Sequence, residues 1–340
     1  MRISTPFGYA LGAAALVTLA ACSGGSSAIA PLAAANGATG PSASSHLIGS
    51  QSATALAAAS RLPSRQTASW MNQPDAHAAP GLVYISDTLA NNVTVFDTAG
   101  KMQGQIGGFN FPGGIFVDGK HNLWVANNVA NNVLEFARGA TTPSKTLSDP
   151  GAGPNDVTIC PNGAIYVLGS DSTTIEVYAK GHLKPTRGIT FAGSQQNDFL
   201  TCDKKGNVFV TMVVSFHGGV VEFPGGKQQG AVQLPISMGG PGGIKPDDAG
   251  NLLVDDQSAQ TVTEYTEAGA PTGLSIKTAF DCIGIGVMRD SKVVGCAVYA
   301  ASGTSEGQSY NFPGGAARQT YSGSFMLPYG FAFDPGQKGI

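Results

Sequence analysis

Charge is scarce in this chain. Charged residues make up 12% of the 340, about half the usual share, with 19 Lys and Arg against 22 Asp and Glu and no basic run anywhere. Without clustered cations nothing displaces counterions from a phosphate backbone, so nucleic acid is excluded as a partner. Histidine is scarce as well: His46, His77, His121, His182 and His217 are the complete set, which thins the supply of bases that titrate near neutrality. The apolar stretch from Phe7 to Ala21 falls short of the roughly 20 residues that about 30 Å of hydrocarbon requires. Glycine is what abounds, with 47 residues, roughly twice the usual share. Together with 42% hydrophobic residues, this excludes a coiled coil or a solvated disordered polymer and predicts a turn-rich chain with a sizeable core.

Met1-Arg2 precedes the apolar stretch, and Leu19-Ala20-Ala21-Cys22 ends it before Ser23-Gly24-Gly25. The pattern predicts an export signal over residues 1–21. Small residues leading to a cysteine resemble the bacterial lipobox. That resemblance implies a diacylglyceryl group on the Cys22 thiol, cleavage before it, and a lipid anchor in the cell envelope with the chain on its periplasmic or extracellular side. Residues 22–68 are mostly Ala, Ser, Gly and Pro. They offer too little apolar surface to offset about 1–2 kcal/mol per ordered residue, so a flexible linker is expected there and a folded domain over 69–340.

That domain repeats itself. An aromatic closes a short β-branched run at Phe96, Phe136, Tyr178, Phe223, Tyr265 and Phe312, and a period of about 40–47 residues bounded by glycines selects propeller blades over helical arrays. Each unit carries an inner strand, an apolar second strand such as Leu123-Trp124-Val125, a third strand ending in the aromatic, and a glycine turning into an outer strand. The first unit begins at Leu82, which aligns with second strands. Its inner strand is expected from Pro328-Tyr329-Gly330-Phe331-Ala332-Phe333-Asp334 at the other end, closing an all-β, six-bladed ring with no open edge. The copy built on Pro112, Asp118, Asn122 to Asn127 and Asn131 to Phe136 resembles the NHL repeat family of propellers. That family includes binding platforms, lyases and lactonases, so the resemblance implies fold and leaves function open.

Ligands of propellers usually bind where inner strands open around the axis. Here the openings offer Asn155, Asp156, Asn197, Asp198 and Asp281, an oxygen-rich set suited to Ca²⁺ or Mg²⁺. The same residue types also cap tight turns through bonds to the backbone. Pro154-Asn155-Asp156 resembles the Asn-Asp element of gluconolactonase-like and regucalcin-like propellers, where an Asn at this place binds a divalent metal. Those enzymes also need a Glu at an early inner-strand opening, and this chain has glycines there. No inner strand supplies His or Glu. The expected function is therefore a non-catalytic module binding a protein or glycan through its loops, with a metal-dependent lactone hydrolase as the alternative.

Four cysteines remain after Cys22, and an oxidising compartment allows them to pair. Cys282 and Cys296 flank a turn on adjacent antiparallel strands and are expected to form a disulfide. Cys160 and Cys202 fall at equivalent ends of neighbouring inner strands, a spacing that leaves their pairing open.

Overall fold

The computed structural model describes residues 81–335 apart from 149–152, 171–172, 215–216, 280, 289–291 and 300–304. The expected export signal over 1–21, Cys22 with its expected lipid, the expected linker over 22–68 and residues 69–80 lie outside the described residues.

Strand β1 (Leu82–Asp87), β2 (Asn92–Asp97) and β3 (Met102–Ile106) open the domain. Then come β4 (Pro112–Val117), β5 (Leu123–Asn127), β6 (Asn132–Phe136) and β7 (Lys145–Ser148), followed by β8 (Pro154–Ile159), β9 (Ile165–Gly169), β10 (Thr174–Tyr178) and β11 (Arg187–Thr190). The fourth group is β12 (Ser194–Cys202), β13 (Val208–Val214), β14 (His217–Phe223) and β15 (Val232–Met238). The fifth is β16 (Pro241–Pro246), β17 (Leu252–Asp256), β18 (Thr261–Tyr265) and β19 (Pro271–Lys277). Finally, β20 (Asp281–Val287), β21 (Val293–Tyr299), β22 (Glu306–Asn311) and β23 (Ala317–Tyr321) precede β24 (Pro328–Asp334). They form six four-stranded antiparallel sheets, one per blade, and the chain is a six-bladed β-propeller.

Blade one joins the two ends of the domain in the order β24-β1-β2-β3. Leu82 pairs with Asp334 and Ile85 with Phe331. Both ends of β24 are gripped. Asp87 accepts the backbone N–H groups of Met326 at 2.6 Å and Leu327 at 2.9 Å, and the fully buried Asp334 carboxylate faces Arg138 Nε at 2.7 Å and His121 Nδ1, both from blade two.

The core lies in the seams between blades, because each sheet buries both faces. Phe116 and Trp124 of blade two pack with Val157, Ile165 and Tyr178 of blade three. Val83, Ile85 and Phe96 of blade one pack with Val293, Ala297 and Tyr321 of blade six, around Phe331 and Phe333. Burying each such aromatic contributes about 1.5–3 kcal/mol. The repeat aromatics Phe96, Phe136, Tyr178 and Phe223 are completely enclosed. The glycine that turns each third strand into the outer one has positive φ in all six blades, at Gly100, Gly139, Gly181, Gly225, Gly269 and Gly314, a conformation other residues adopt at a cost.

Both cysteine pairs are disulfides. Cys282–Cys296 joins two strands of blade six, and Cys160–Cys202 crosses from blade three to blade four, each with Cα atoms 5.4 Å apart. Neighbouring inner strands converge closely enough at that end for the second bridge to close. No helix among the described residues is long and apolar enough to cross a membrane.

Candidate functional site

Inner strands begin, and second strands turn into third strands, at one end of the ring, here called the upper end. Each inner strand is bulged just after it begins, so two of its residues oppose one on the second strand. The bulge re-aims side chains toward the axis and toward the next blade.

Around the axis, the Asn155 amide donates to Asp198 O at 2.8 Å and its Oδ1 accepts the Tyr329 hydroxyl at 3.0 Å. Tyr329 belongs to blade one and crosses to blade three, with its ring stacked on Phe199 of blade four at 5.2 Å between centroids. The Asp156 carboxylate accepts from its own blade, Val157 N at 2.9 Å, and from the next, Leu200 N at 3.0 Å. It fills the space above Gly114, where any Cβ would overlap it. Burial raises the Asp156 pKa, and the Lys245 charge across the axis opposes that rise. Burial lowers the Lys245 pKa in turn, against the pull of Asp156.

Asp198 Oδ1 accepts from Gln196 Nε2 at 2.9 Å, while its Oδ2 is buried with no hydrogen-bond partner among the described residues. Burial pushes its pKa up to about 7. Asn197 takes the Ser194 hydroxyl at 2.8 Å, within its own strand. Thus Asn155, Asp156 and Asp198 come together at the axis and Asn197 lies beside them. Asp281 stands apart at the seam of blades five and six, where it accepts from Gln260 Nε2 at 3.1 Å.

Below this layer a cavity with about 300 Å³ of empty volume, its open mouth included, runs between Ile115, Val117, Val287, Phe331 and Phe333, with Lys245 in its wall. Among the described residues no three His, Cys, Asp or Glu side chains converge as metal ligands would. His217 is exposed at the start of β14, on the upper end. Trp124, Tyr166 and Phe209 are blade core, as their shared repeat position predicts.

Sequence reasoning missed Tyr329, although a signal was present: Pro328-Tyr329-Gly330 has a bulky ring where Pro112-Gly113-Gly114 and Pro241-Gly242-Gly243 have glycine. It also missed Asp255, which opposes the bulge of blade five as Ser86 and Thr211 do in blades one and four.

No protein-family model and no curated protein matches the chain. Solved structures do. A chain of the nidogen/laminin complex superposes with a TM-score of 0.61 at 13% identity, over 74% of this chain and 98% of that one. A streptogramin B lyase gives 0.54 at 14% identity, over 74% and 83%, and virginiamycin B lyase from Staphylococcus aureus gives 0.53 at 15%, over 73% and 84%. At such identities the likeness is one of fold: this chain shares the six-bladed propeller of a protein-complex component and of lyases alike.

Proposed function

We propose that this chain is a lipid-anchored, extracytoplasmic propeller that binds a protein or glycan through the loops of its upper end without transforming it. The observation that carries this reading is the state of the axis. Asn155, Asp156 and Tyr329 spend their polar atoms on one another and on backbone groups, so the recognition surface is the surrounding ring of turns. The fold is shared with a chain of the nidogen/laminin complex, the two disulfides suit an oxidising compartment, and Leu19-Ala20-Ala21-Cys22 supplies the anchor.

Crosslinking in intact envelopes tests it. A captured partner should be lost from Ala130→Glu and Ala259→Glu, on exposed upper turns, and kept by Lys120→Glu on a lower turn. Capture indifferent to the upper-turn variants refutes the reading. Cys22→Ser should abolish incorporation of a fatty-acid analogue, and undiminished labelling removes the anchor.

A metal-dependent lactone hydrolase has one feature in its favour, the Asp198 carboxyl, whose pKa burial pushes up to about 7 and whose Oδ2 has no donor among the described residues. The remaining set does not fit an ion, because Asn155 Oδ1 already holds the Tyr329 hydroxyl and both Asp156 oxygens hold N–H groups. Lactone turnover that requires a divalent ion and is lost in Asn155→Ala would reverse this ranking.

A further inference from the structure

Lys245 holds a rank of the ring that every other blade fills with an uncharged residue. The inner-strand residues opposite Tyr84, Trp124, Tyr166, Phe209, Leu253 and Gly295 are Ala332, Phe116, Thr158, Thr201, Lys245 and Gly286, in blades one to six. Lys245 is 8% exposed and stands in the wall of the cavity below the axial layer. Gly286, at the same level of the next blade, adds no side chain there and lines the cavity with it. The remaining side chains of the wall are apolar, among them Ile115, Val117, Val287, Phe331 and Phe333.

A lysine in such a place is an amine without a bonded partner. Among the described residues no hydrogen bond reaches its Nζ. Asp156 acts on it as an opposite charge, yet both Asp156 oxygens are held by the N–H groups of Val157 and Leu200. The apolar surroundings penalise the ammonium and lower its pKa, which favours the free amine, the nucleophilic form. Nothing in the blade's packing calls for a cation at a rank where Ala, Phe, Thr and Gly serve elsewhere, and an unpartnered polar group is costly to bury.

We propose that the lower axial cavity captures a small apolar aldehyde as an imine on Lys245. The Nζ lone pair bonds to the carbonyl carbon, the two Nζ protons pass to the carbonyl oxygen, the C–O bond breaks and water leaves, so no oxidant or reductant takes part. A protonated imine keeps the single positive charge that Asp156 already faces, and the apolar walls cover the hydrocarbon part of the ligand. A carboxylate ligand fits less well, because it would bring a second negative charge to a cavity whose wall holds one cation and otherwise apolar side chains. The site lies below the axial set of Asn155, Asp156 and Asp198, and it is independent of the upper-end binding function proposed above.

Butanal with cyanoborohydride, applied to the full chain at neutral pH and followed by peptide mapping in a mass spectrometer, tests this. Hydride from the reagent reduces the imine to a stable secondary amine. The expected result is an adduct that saturates on Lys245 while the exposed Lys120 and Lys184 have reacted to about a tenth of that extent. Lys245→Met should lose this adduct and leave labelling of the exposed lysines unchanged. Glyceraldehyde, of similar length but hydroxylated, should show no preference for Lys245. Mapping the parent protein requires no variant, so it carries the test if Lys245→Met does not fold. Two results overturn the proposal: Lys245 unlabelled, or labelled no faster than Lys120, in the folded parent, which would make it an inert buried amine; or an equal preference for Lys245 with glyceraldehyde, which would show a reactive amine without an apolar ligand site.

Discussion

Replacing Asp198 by Asn removes a titration that the fold holds far from its ordinary place. The carboxyl is completely buried, keeps one bond, to Gln196 Nε2, and has its pKa raised from 3.8 to about 7. Because the folded pKa lies above the unfolded one, the native state keeps its proton while the unfolded state has lost it. This stabilising contribution is whole below about pH 4 and drains away as pH rises to about 7. A shift of about three units is worth roughly 4 kcal/mol. Asn keeps the shape and an acceptor oxygen but does not titrate, so the stability difference between variant and parent should change by about that amount, in favour of the variant, between about pH 4 and about pH 8. Urea unfolding at several pH values reads this directly. Asp87, Asp156 and Asp255, whose pKa values burial also raises, are present in both proteins and largely cancel. A difference that stays constant across the range would refute the reasoning.

Phe331 is enclosed by Tyr321 at 5.7 Å and Phe333 at 5.1 Å between ring centroids, so Phe331→Ala should cost about 3–5 kcal/mol in urea unfolding, and truncation before Pro328 should aggregate or melt far earlier. Paired Cys→Ala replacement should cost about 4 kcal/mol for Cys160–Cys202, with its sequence separation of 42, and about 3 kcal/mol for Cys282–Cys296, with a separation of 14. The ordering of the two melting temperatures checks it. Gly114→Ala drives a methyl into the Asp156 carboxylate and should lose about 1–3 kcal/mol, with faster amide exchange at Leu200, whose N–H that carboxylate holds.

Much of the ring was legible because its marks are local. A glycine forced to positive φ, an aromatic sealing a seam and a Pro-Gly opening each announce themselves within a few residues, and β24 was recognisable by the same marks. The marks are weaker in blade six, where Phe312 falls one residue beyond β22 and bonds back to Lys292 O at 2.8 Å, and Cys282-Ile283 stands where Pro112-Gly113 and Pro241-Gly242 stand in blades two and five. The axis was legible only as a roster of oxygens. Whether an oxygen is spent depends on partners far along the chain, such as Tyr329 on Asn155, 174 positions away, and no local pattern encodes that distance. Asp255 escaped notice for a related reason: in a second strand it reads as an ordinary polar residue until the bulge opposite it is known.

The pairing of Leu82 with Asp334 also sets an order in time. A ribosome delivers β1 first and β24 last, so blades two to six can assemble while the inner edge of blade one still waits for its strand. Until β24 arrives that edge remains a template for any extended segment nearby, most hazardously the same edge on another nascent chain. Delivery of β24 ends this exposure, which makes its pairing with β1 the step that commits the ring to one molecule.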